Sequence, residues 1–229
     1  MKTLVADSNE KTGSAVIRHP MIRKILLVGG ILFSLLHVGV DILASMSWEG
    51  YSYTSQSVSE LSAIGAPTRS LEVAAGIVIV LLLIAFAAGV WLSAGPKRSL
   101  RIAAIIIAAW GIVNLPGSLF SMQLRGEGSL ATDAGHLILV SMTVLLILLS
   151  IGFGSGADGR WFRLYSIATI VAMLVFGALG ARQASAVAAG QPTPGLGLIE
   201  RVTFYAPGLW YLVFAVVLLR TQPESLRLE

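Results

Sequence analysis

The chain has 229 residues, of which 55% are hydrophobic and only 12% charged, and its formal net charge is +4. Soluble domains usually carry about a quarter charged residues, so this composition excludes an ordinary soluble globular domain and indicates a membrane protein. The chain has no cysteine, which excludes disulfides, thiolate metal sites and a cysteine nucleophile. The basic residues stand in short clusters between apolar segments, so we expect the lipid bilayer, and no nucleic acid, as a partner.

Six apolar segments along the chain are long enough to cross a bilayer. A transmembrane helix needs about 18 or more apolar residues. The first segment is too long, and follows too long a polar stretch, to be a signal peptide. The pattern predicts an all-α polytopic membrane protein, a bundle of six transmembrane helices in a domain of residues 19–222, with a disordered tail at 1–18 and a second tail at 223–229. The predicted spans are 25–46, 71–92, 102–122, 130–153, 161–179 and 198–219.

The distribution of Lys and Arg predicts which helix ends face the cytoplasm. One side of the predicted membrane holds twelve of the sixteen basic residues, and the other side holds Arg69, Arg125, Arg182 and Arg201. Since cytoplasmic loops carry the excess of Lys and Arg, we expect both termini, and therefore both tails, in the cytoplasm. We expect a multi-pass protein of the cell (plasma) membrane.

The segment between the first two predicted spans contains a short helical pattern. Apolar residues at positions 58, 61 and 64 recur at helical spacing, and a Gly-Ala-Pro sequence follows them. This pattern predicts a short amphipathic helix lying on the membrane surface after the first span. At its start, Ser57 and Glu60 have the spacing of a capping box. They also suit the mouth of a cavity, and the two interpretations are compatible.

Polar residues gather at the end of each predicted span that lies near the outer face. Ionisable groups in lipid are costly and need a partner, water or a function. The simplest arrangement is a polar cavity open to the outside, above an apolar seal formed by the cytoplasmic halves of the helices. Glu72, Glu200 and Arg201 would also suit the headgroup level. The residues assigned to the cavity are His37, Asp41, Ser57, Glu60, Asn114, Asp133, His136, Glu200, Arg201 and Tyr205.

Pro116 stands in the outer third of the third predicted span. Proline removes one backbone hydrogen bond of a helix and commonly kinks it. We therefore expect a kink in this span, with Asn114 placed to use the freed backbone groups.

Two of the predicted spans each carry one histidine and one aspartate on a shared face. His37 and Asp41 are four positions apart, and Asp133 and His136 are three apart. Nitrogen and oxygen ligands of this kind suit zinc or another divalent metal with an open position for water. The alternative is a pair of hydrogen-bonded His–Asp couples that hold the first and fourth spans together. No repeated metal-ligand motif is present, so no cofactor is assigned.

Three segments of the chain together resemble a known family. They are the run Tyr51–Pro67 with its Val-Ser-Glu-Leu sequence, Gly117-Ser-Leu-Phe120 followed by Asp133 and His136, and Gly197-Leu-Ile-Glu-Arg201. In this combination the chain, over roughly residues 25 to 220, resembles the DUF998 family of six-helix membrane proteins. The resemblance implies a six-helix fold with these segments at the outer face. The family often has a Pro and an acidic residue where this chain has Ser121 and Met122, and it brings no established activity.

Three classes of function fit these observations. The first is a binding or accessory protein whose outward cavity holds a lipid, a small molecule or the helix of a partner. The second is a membrane-embedded, metal-dependent hydrolase or transferase acting on a lipid, with Glu60 as a possible base. The third is a proton-coupled transporter, in which Asp41 would be essential. Whether the protein is an enzyme is left open by the sequence.

Overall fold

The computed structural model describes residues 20–221 of the chain. Within that range it has seven α-helices, three short 3-10 helices and no strand, apart from an isolated bridge between Ile64 and Gln123. The all-α prediction is therefore confirmed for the described residues, while the predicted tails at 1–18 and 223–229 lie outside them. The α-helices are α1 Pro20–Ser47, α2 Arg69–Ser93, α3 Arg98–Asn114, α4 Ala134–Gly154, α5 Arg160–Ala181, α6 Ala184–Ala188 and α7 Leu196–Arg220. The 3-10 helices are Val58–Ser62, Gly117–Phe120 and Ser155–Ala157.

Five of these helices have the length and apolar character needed to cross a membrane: α1, α2, α4 with the turn that follows it, α5 and α7. Each of them overlaps one predicted span. The third predicted span, 102–122, overlaps α3, which begins four residues earlier and has 17 residues. Among the described residues, length and composition therefore identify five candidate crossings, one fewer than the sequence predicts.

Pro116 lies two residues beyond the end of α3 and does not kink a longer helix, so the predicted kink is wrong. The helix ends at Asn114, and the 3-10 helix Gly117–Phe120 follows. Proline has no N–H to donate, so it cannot bond to the carbonyl of Ile112. Leu115 N donates to that carbonyl instead (3.2 Å), in the tighter turn of a 3-10 helix.

The six long helices pack mainly in a ring. α1 packs along α2, α2 along α3 and α3 along α4, while α7 packs against both α1 and α5. α4 and α5 contact each other far less extensively. The packing of the ring is therefore weakest between α4 and α5. Side chains fill only part of the space that the six helices enclose.

Glycines allow α1 and α2 to approach each other closely. A Cβ atom added at Gly89 would lie 2.9 Å from Leu27 N, and one added at Gly30 would lie 2.6 Å from the ring of Phe86. A larger side chain at either position would push the helices apart. Small residues thus set the spacing of this pair, as they commonly do between membrane helices.

Aromatic side chains fill one end of the bundle. Trp210, Tyr211 and Phe214 of α7 are fully buried. They pack in stacked, tilted or edge-on arrangements, which are the favoured geometries for aromatic pairs. Gly154, the last residue of α4, lies directly against the Trp210 ring, so this end of the ring is closed. The rings that surround the three α7 side chains are those of Phe33, Phe86, Trp110 and Phe162.

The helical pattern after α1 forms a single 3-10 helix, Val58–Ser62, and not an amphipathic helix with one apolar face. Leu61 is fully buried, whereas Ile64 is 44% exposed and lies beyond the helix end. Positions 58, 61 and 64 are three apart, which is the repeat of a 3-10 helix and not of an α-helix. The predicted capping box is confirmed, because Glu60 N donates to Ser57 Oγ (3.2 Å) and Ser57 N donates to Glu60 Oε2 (2.7 Å).

Candidate ligand-binding cavity

The polar residues predicted from the sequence come from helix ends that meet at one end of the bundle. Residues near the starts of α2, α4 and α7 and towards the ends of α1, α3 and α5 line one cavity. Consecutive long helices therefore run in opposite directions. The lining includes Glu72, His136 and Glu200 from the helix starts and Asp41, Asn114 and Ala181 from the later parts of the other three helices.

This cavity has a volume of about 810 Å³, within the range of roughly 300–1,000 Å³ that is typical of ligand pockets. Its lining changes in character with depth. Along α2, Val80 lies eight residues, or about 12 Å, beyond Glu72, and the same separation on α7 leads from Glu200 to Gly208. The deep lining is apolar and includes Phe33, Leu83, Trp110, Ile147 and Met173. The cavity thus has a polar end and an apolar floor.

Seven of the ten predicted site residues line this cavity: His37, Asp41, Ser57, Asn114, Asp133, His136 and Glu200. The other three, Glu60, Arg201 and Tyr205, lie in hydrogen-bonded networks beside it. The residues predicted for the site therefore lie at one end of the bundle, where some line the cavity and others pair with neighbouring side chains.

Asp41 and Arg201 form a buried ion pair between α1 and α7. Arg201 Nε donates to Asp41 Oδ2 and Arg201 Nη2 donates to Asp41 Oδ1, both at 2.9 Å. The two side chains are 1% and 3% exposed. The hydroxyl of Tyr205 also donates to Asp41. A bidentate pair of this kind holds two helices in one relative geometry.

The same guanidinium fixes the chain that follows α1. Arg201 Nη1 donates to the carbonyl oxygen of Tyr53 (2.6 Å), and Nη2 donates to Ser45 Oγ (2.9 Å) and to the Tyr51 hydroxyl (3.2 Å). Its central carbon lies 3.5 Å from the centre of the Tyr53 ring, a cation–π contact. Burial raises the pKa of Tyr51 to about 12, so this hydroxyl is neutral at physiological pH.

A second ion pair joins the 3-10 helix Val58–Ser62 to the loop between α3 and α4. Arg125 Nε and Nη2 donate to the two carboxylate oxygens of Glu60, both at 2.8 Å. Arg125 Nη1 also donates to the carbonyl oxygen of Gln191 (2.9 Å). Burial raises the pKa of Glu60, but its bonds to Arg125 and to Ser57 N–H outweigh burial and hold the pKa below its ordinary value. Glu60 is thus an ionised structural group that ties three connecting segments together.

Three carboxylates that line the cavity, Glu72, Asp133 and Glu200, have no ion-pair partner within residues 20–221. One oxygen of Glu200 accepts a hydrogen bond from Val58 N (2.9 Å). In Glu72, Oε1 is buried and makes no hydrogen bond to any described residue. A buried carboxylate oxygen without a partner costs free energy, so a ligand that contacts Glu72 Oε1 would offset that cost.

Asp133 and His136 attach the loop before α4 to the start of that helix. Asp133 Oδ1 accepts a hydrogen bond from Gln123 N (2.9 Å). His136 Nδ1 lies 3.1 Å from the carbonyl oxygen of Phe120, a distance at which a protonated Nδ1 donates. Both side chains face the cavity as well.

Two further polar residues of the cavity contact neighbouring helices. His37 stacks on Phe204 of α7, with ring centres 3.7 Å apart, and also stacks on Phe33. Asn114 donates to the carbonyl oxygen of Trp110 and to Thr143 Oγ1 of α4. The latter bond links α3 to α4 across the cavity wall.

The two His–Asp pairs do not converge. His37 and Asp41 contact α7, whereas Asp133 and His136 contact the loop at 120–123. Among the described residues, no group of three or more His, Cys, Asp or Glu side chains is arranged to hold a metal ion. This geometry gives no support to a shared metal centre, nor to hydrogen-bonded His–Asp couples between the first and fourth spans.

Sequence reasoning missed two features of this end of the molecule. It assigned no partner to Arg201, and it did not single out Glu72 as an unpaired carboxylate. One signal for the first was present, because Gly197 precedes Arg201 by one helical turn. A Cβ atom at Gly197 would lie 2.3 Å from the carbonyl oxygen of Tyr53, so the glycine marks the approach of the chain that Arg201 holds.

A family model matches residues 28–217, so the chain belongs to the family described as "Protein of unknown function (DUF998)". The resemblance identified from the sequence is thereby confirmed. No curated protein and no solved structure matches the chain.

Proposed function

We propose that this protein binds an amphiphile, a lipid or a small molecule with an extended apolar part, in the cavity at the centre of its helix ring. The observation that carries the proposal is the graded lining of that cavity. Polar groups from six helix ends surround one end, and apolar side chains line the floor about 12 Å deeper. An amphiphile matches such a lining with its polar head at one end and its apolar part at the other.

The loose contact between α4 and α5 supports a ligand that enters from the lipid. The cavity lining includes Leu137, Val140 and Val144 on α4 together with Met173 and Gly177 on α5. These two helices pack against each other sparsely, while the other neighbours in the ring pack along their lengths. A gap between two membrane helices faces lipid, so an amphiphile can pass there without crossing water.

The proposal includes six membrane crossings, both termini in the cytoplasm, and residence in the plasma membrane. α3 has 17 residues, and a helix of about 17–25 residues can span the hydrocarbon core. It packs along α2 and α4, both of which are candidate crossings. The excess of Lys and Arg on one side favours the cytoplasmic placement of both ends. The polar end of the cavity then faces outward.

The proposal is tested by filling the cavity from a position that has room for a side chain. Gly76 lies in α2, lines the cavity, and a Cβ atom added there meets no other atom within 4 Å. The matched control is Gly152 in α4, where a Cβ atom also meets nothing but which is exposed and outside the cavity lining. Both substitutions, Gly76→Phe and Gly152→Phe, place the same side chain on a long helix.

Three single-chain probes of equal length serve as ligands: hexadecyltrimethylammonium, hexadecylphosphocholine and hexadecyl phosphate. Native mass spectrometry of protein in dodecyl maltoside counts the bound probe below its micelle concentration. We expect at least one probe to bind the wild-type protein one to one. We expect Gly76→Phe to weaken its binding by about tenfold or more, roughly 1.4 kcal/mol, and Gly152→Phe to leave it unchanged. If no probe binds, or if both variants bind as the wild type does, the proposed function is wrong.

No specific observation favours the two other functional classes. Asp41, which a proton-coupled transporter would have to protonate, is held by Arg201 and Tyr205 in a buried pair. Glu60, the possible base of a hydrolase, is ion-paired to Arg125 and caps the 3-10 helix Val58–Ser62. Both side chains have structural partners that account for their positions.

A further inference from the structure

We infer that the ligand of this cavity carries a positively charged head, such as a primary, tertiary or quaternary ammonium group, which is placed beside Glu72 and Glu200. The inference rests on the proposed function and adds the chemical class of the ligand to it. It depends on the balance of charges around the cavity and on Glu72 and Glu200, two of the three lining carboxylates that lack an ion-pair partner.

The ionisable lining of the cavity is acidic. It contains four carboxylates and two histidines, and no Lys or Arg among the described residues. Of the carboxylates, Asp41 is neutralised by Arg201, which leaves Asp133, Glu72 and Glu200. Asp133 and Glu200 each accept one backbone N–H, from Gln123 and Val58 respectively. Asp133 precedes α4 and holds the loop there, whereas Glu72 and Glu200 lie within α2 and α7. Glu72 and Glu200 are therefore the two carboxylates that we assign to the ligand.

Both carboxylates lie where the head of an amphiphile would lie. Glu72 is in the first turn of α2 and Glu200 is in the first turn and a half of α7. Ser59 and Ser62 of the 3-10 helix line the same end of the cavity. The Oε1 atom of Glu72 is buried without a hydrogen-bond partner within residues 20–221. A cation near this atom would supply the missing partner, and an opposite charge is worth more in such a low-dielectric setting than in water.

The arginines near this end do not offset the acidic lining. Arg201 and Arg125 are each committed to a carboxylate. Arg69 donates to the carbonyl oxygens of Ser62 and Ser118 and is not part of the lining. An anionic head would therefore meet unpaired carboxylates before it met a free guanidinium, and its binding would be opposed.

The two histidines of the lining do not offset its negative charge. His37 is enclosed between the rings of Phe33 and Phe204, and His136 is directed to the carbonyl oxygen of Phe120. The polar end of the cavity therefore stays acidic.

The experiment compares the three hexadecyl probes on the same protein. We expect hexadecyltrimethylammonium to bind about tenfold or more tightly than hexadecyl phosphate, with hexadecylphosphocholine between them, because the carboxylates attract a cationic head and repel an anionic one more strongly in a low-dielectric cavity than in water. The test variant is Glu72→Gln/Glu200→Gln, in which each amide keeps an oxygen acceptor and the size of the side chain. We expect it to reduce the preference for the cationic probe to about threefold or less.

The matched control removes two carboxylates outside the cavity. Glu49 and Glu127 are exposed and absent from the lining, so Glu49→Gln/Glu127→Gln changes the net charge equally and should keep the full preference. Thermal unfolding in the same detergent checks that both variants are folded. If the test variant does not fold, two results test the inference instead. The wild-type protein should prefer the cationic probe, and the single variant Glu72→Gln should reduce that preference.

The outcomes separate the inference from the proposed function. If hexadecyl phosphate or hexadecylphosphocholine binds the wild-type protein as tightly as the ammonium probe, and Gly76→Phe still blocks binding, the inference is wrong and the proposed function stands. If the control double variant loses the preference as the test variant does, the effect comes from net charge and the inference is also wrong. If no probe binds, both are wrong.

Discussion

Arg201 has more polar contacts than any other side chain at the polar end of the bundle. Its guanidinium bonds to Asp41, Ser45 and Tyr51, to the carbonyl oxygens of Tyr53 and Gly197, and covers the Tyr53 ring. It thereby connects α7, the end of α1 and the segment that follows α1. Desolvation of the two charges costs several kcal/mol, which the bidentate geometry and the additional bonds offset. Removal of either partner leaves the other charge buried and unpaired.

We therefore predict that Asp41→Ala and Arg201→Ala each lower the free energy of unfolding by about 3–5 kcal/mol. The variant Asp41→Leu/Arg201→Met should be less destabilised than the sum of the two alanine variants, because it leaves no unpaired charge. Unfolding in dodecyl maltoside, followed by circular dichroism, measures these differences, and the exposed Glu49 supplies the control Glu49→Ala. Additive effects of Asp41 and Arg201 would show that the two side chains are not coupled.

This ion pair could not be predicted from the sequence, whereas its location could. Asp41 and Arg201 are 160 positions apart, and local spacing instead pointed to His37 as the neighbour of Asp41. Hydropathy and the alternation of basic residues placed both residues near one end of the bundle. Which of the polar groups there pair, and which are left unpaired as Glu72 is, depends on helix rotation and on contacts between distant segments, for which a single sequence carries no direct signal.

The first turn of α7 packs directly against the backbone of residues 53–56. Gly195, with φ of +79°, precedes the helix, and Gly197 N donates to the carbonyl oxygen of Thr54 (3.0 Å). A Cβ atom at Gly197 would lie 2.3 Å from the carbonyl oxygen of Tyr53 and 2.5 Å from that of Gln56. These neighbours are backbone atoms, which cannot move aside as a flexible side chain can.

We predict that Gly197→Ala destabilises the protein by about 2 kcal/mol or more and displaces the chain at 53–56. The control is Gly208→Ala in the same helix, where an added Cβ meets no atom within 4 Å. That variant should be neutral or more stable by up to about 1 kcal/mol, because alanine is a better helix former than glycine. Thermal unfolding of both variants in detergent makes the comparison. Equal stability of the two would contradict the close approach at Gly197.

At the scale of elements, hydropathy predicted the long helices and failed where backbone chemistry sets the boundaries. The third predicted span continues to residue 122 because its residues are apolar, although Pro116 cannot continue the hydrogen-bond ladder. The apolar repeat after α1 predicts a short amphipathic helix on the membrane surface, whereas the structure has a 3-10 helix, whose repeat is three residues. In both places one or two residues determine the backbone geometry. Hydropathy averaged over a window of residues does not detect their effect.

The topology of the whole molecule depends on whether α3, with its 17 residues, crosses the membrane. If it does, the exposed residues Lys97 and Asp158 lie on the cytoplasmic side, and Glu49, Glu127 and Gln191 lie outside. If α3 does not cross, the loops on its two sides lie on the same face of the membrane, and the alternation of basic residues ends there. The polar end of the cavity would then not be a single outward-facing site.

The absence of cysteine from the sequence makes this question directly testable. We predict that single cysteines at Glu49, Glu127 and Gln191 react with a membrane-impermeant maleimide in intact cells with an accessible outer surface. Those at Lys97 and Asp158 should react only after the membrane is permeabilised. Labelling of Glu127→Cys and Lys97→Cys from the same side would show that α3 does not cross. Labelling of Lys97→Cys and Asp158→Cys in intact cells, with the other three reacting only after permeabilisation, would contradict the orientation, because the Lys- and Arg-rich side would then lie outside. The predicted pattern would place Glu72 and Glu200 in outward-facing helix ends, at the depth where the head of a bound amphiphile is expected.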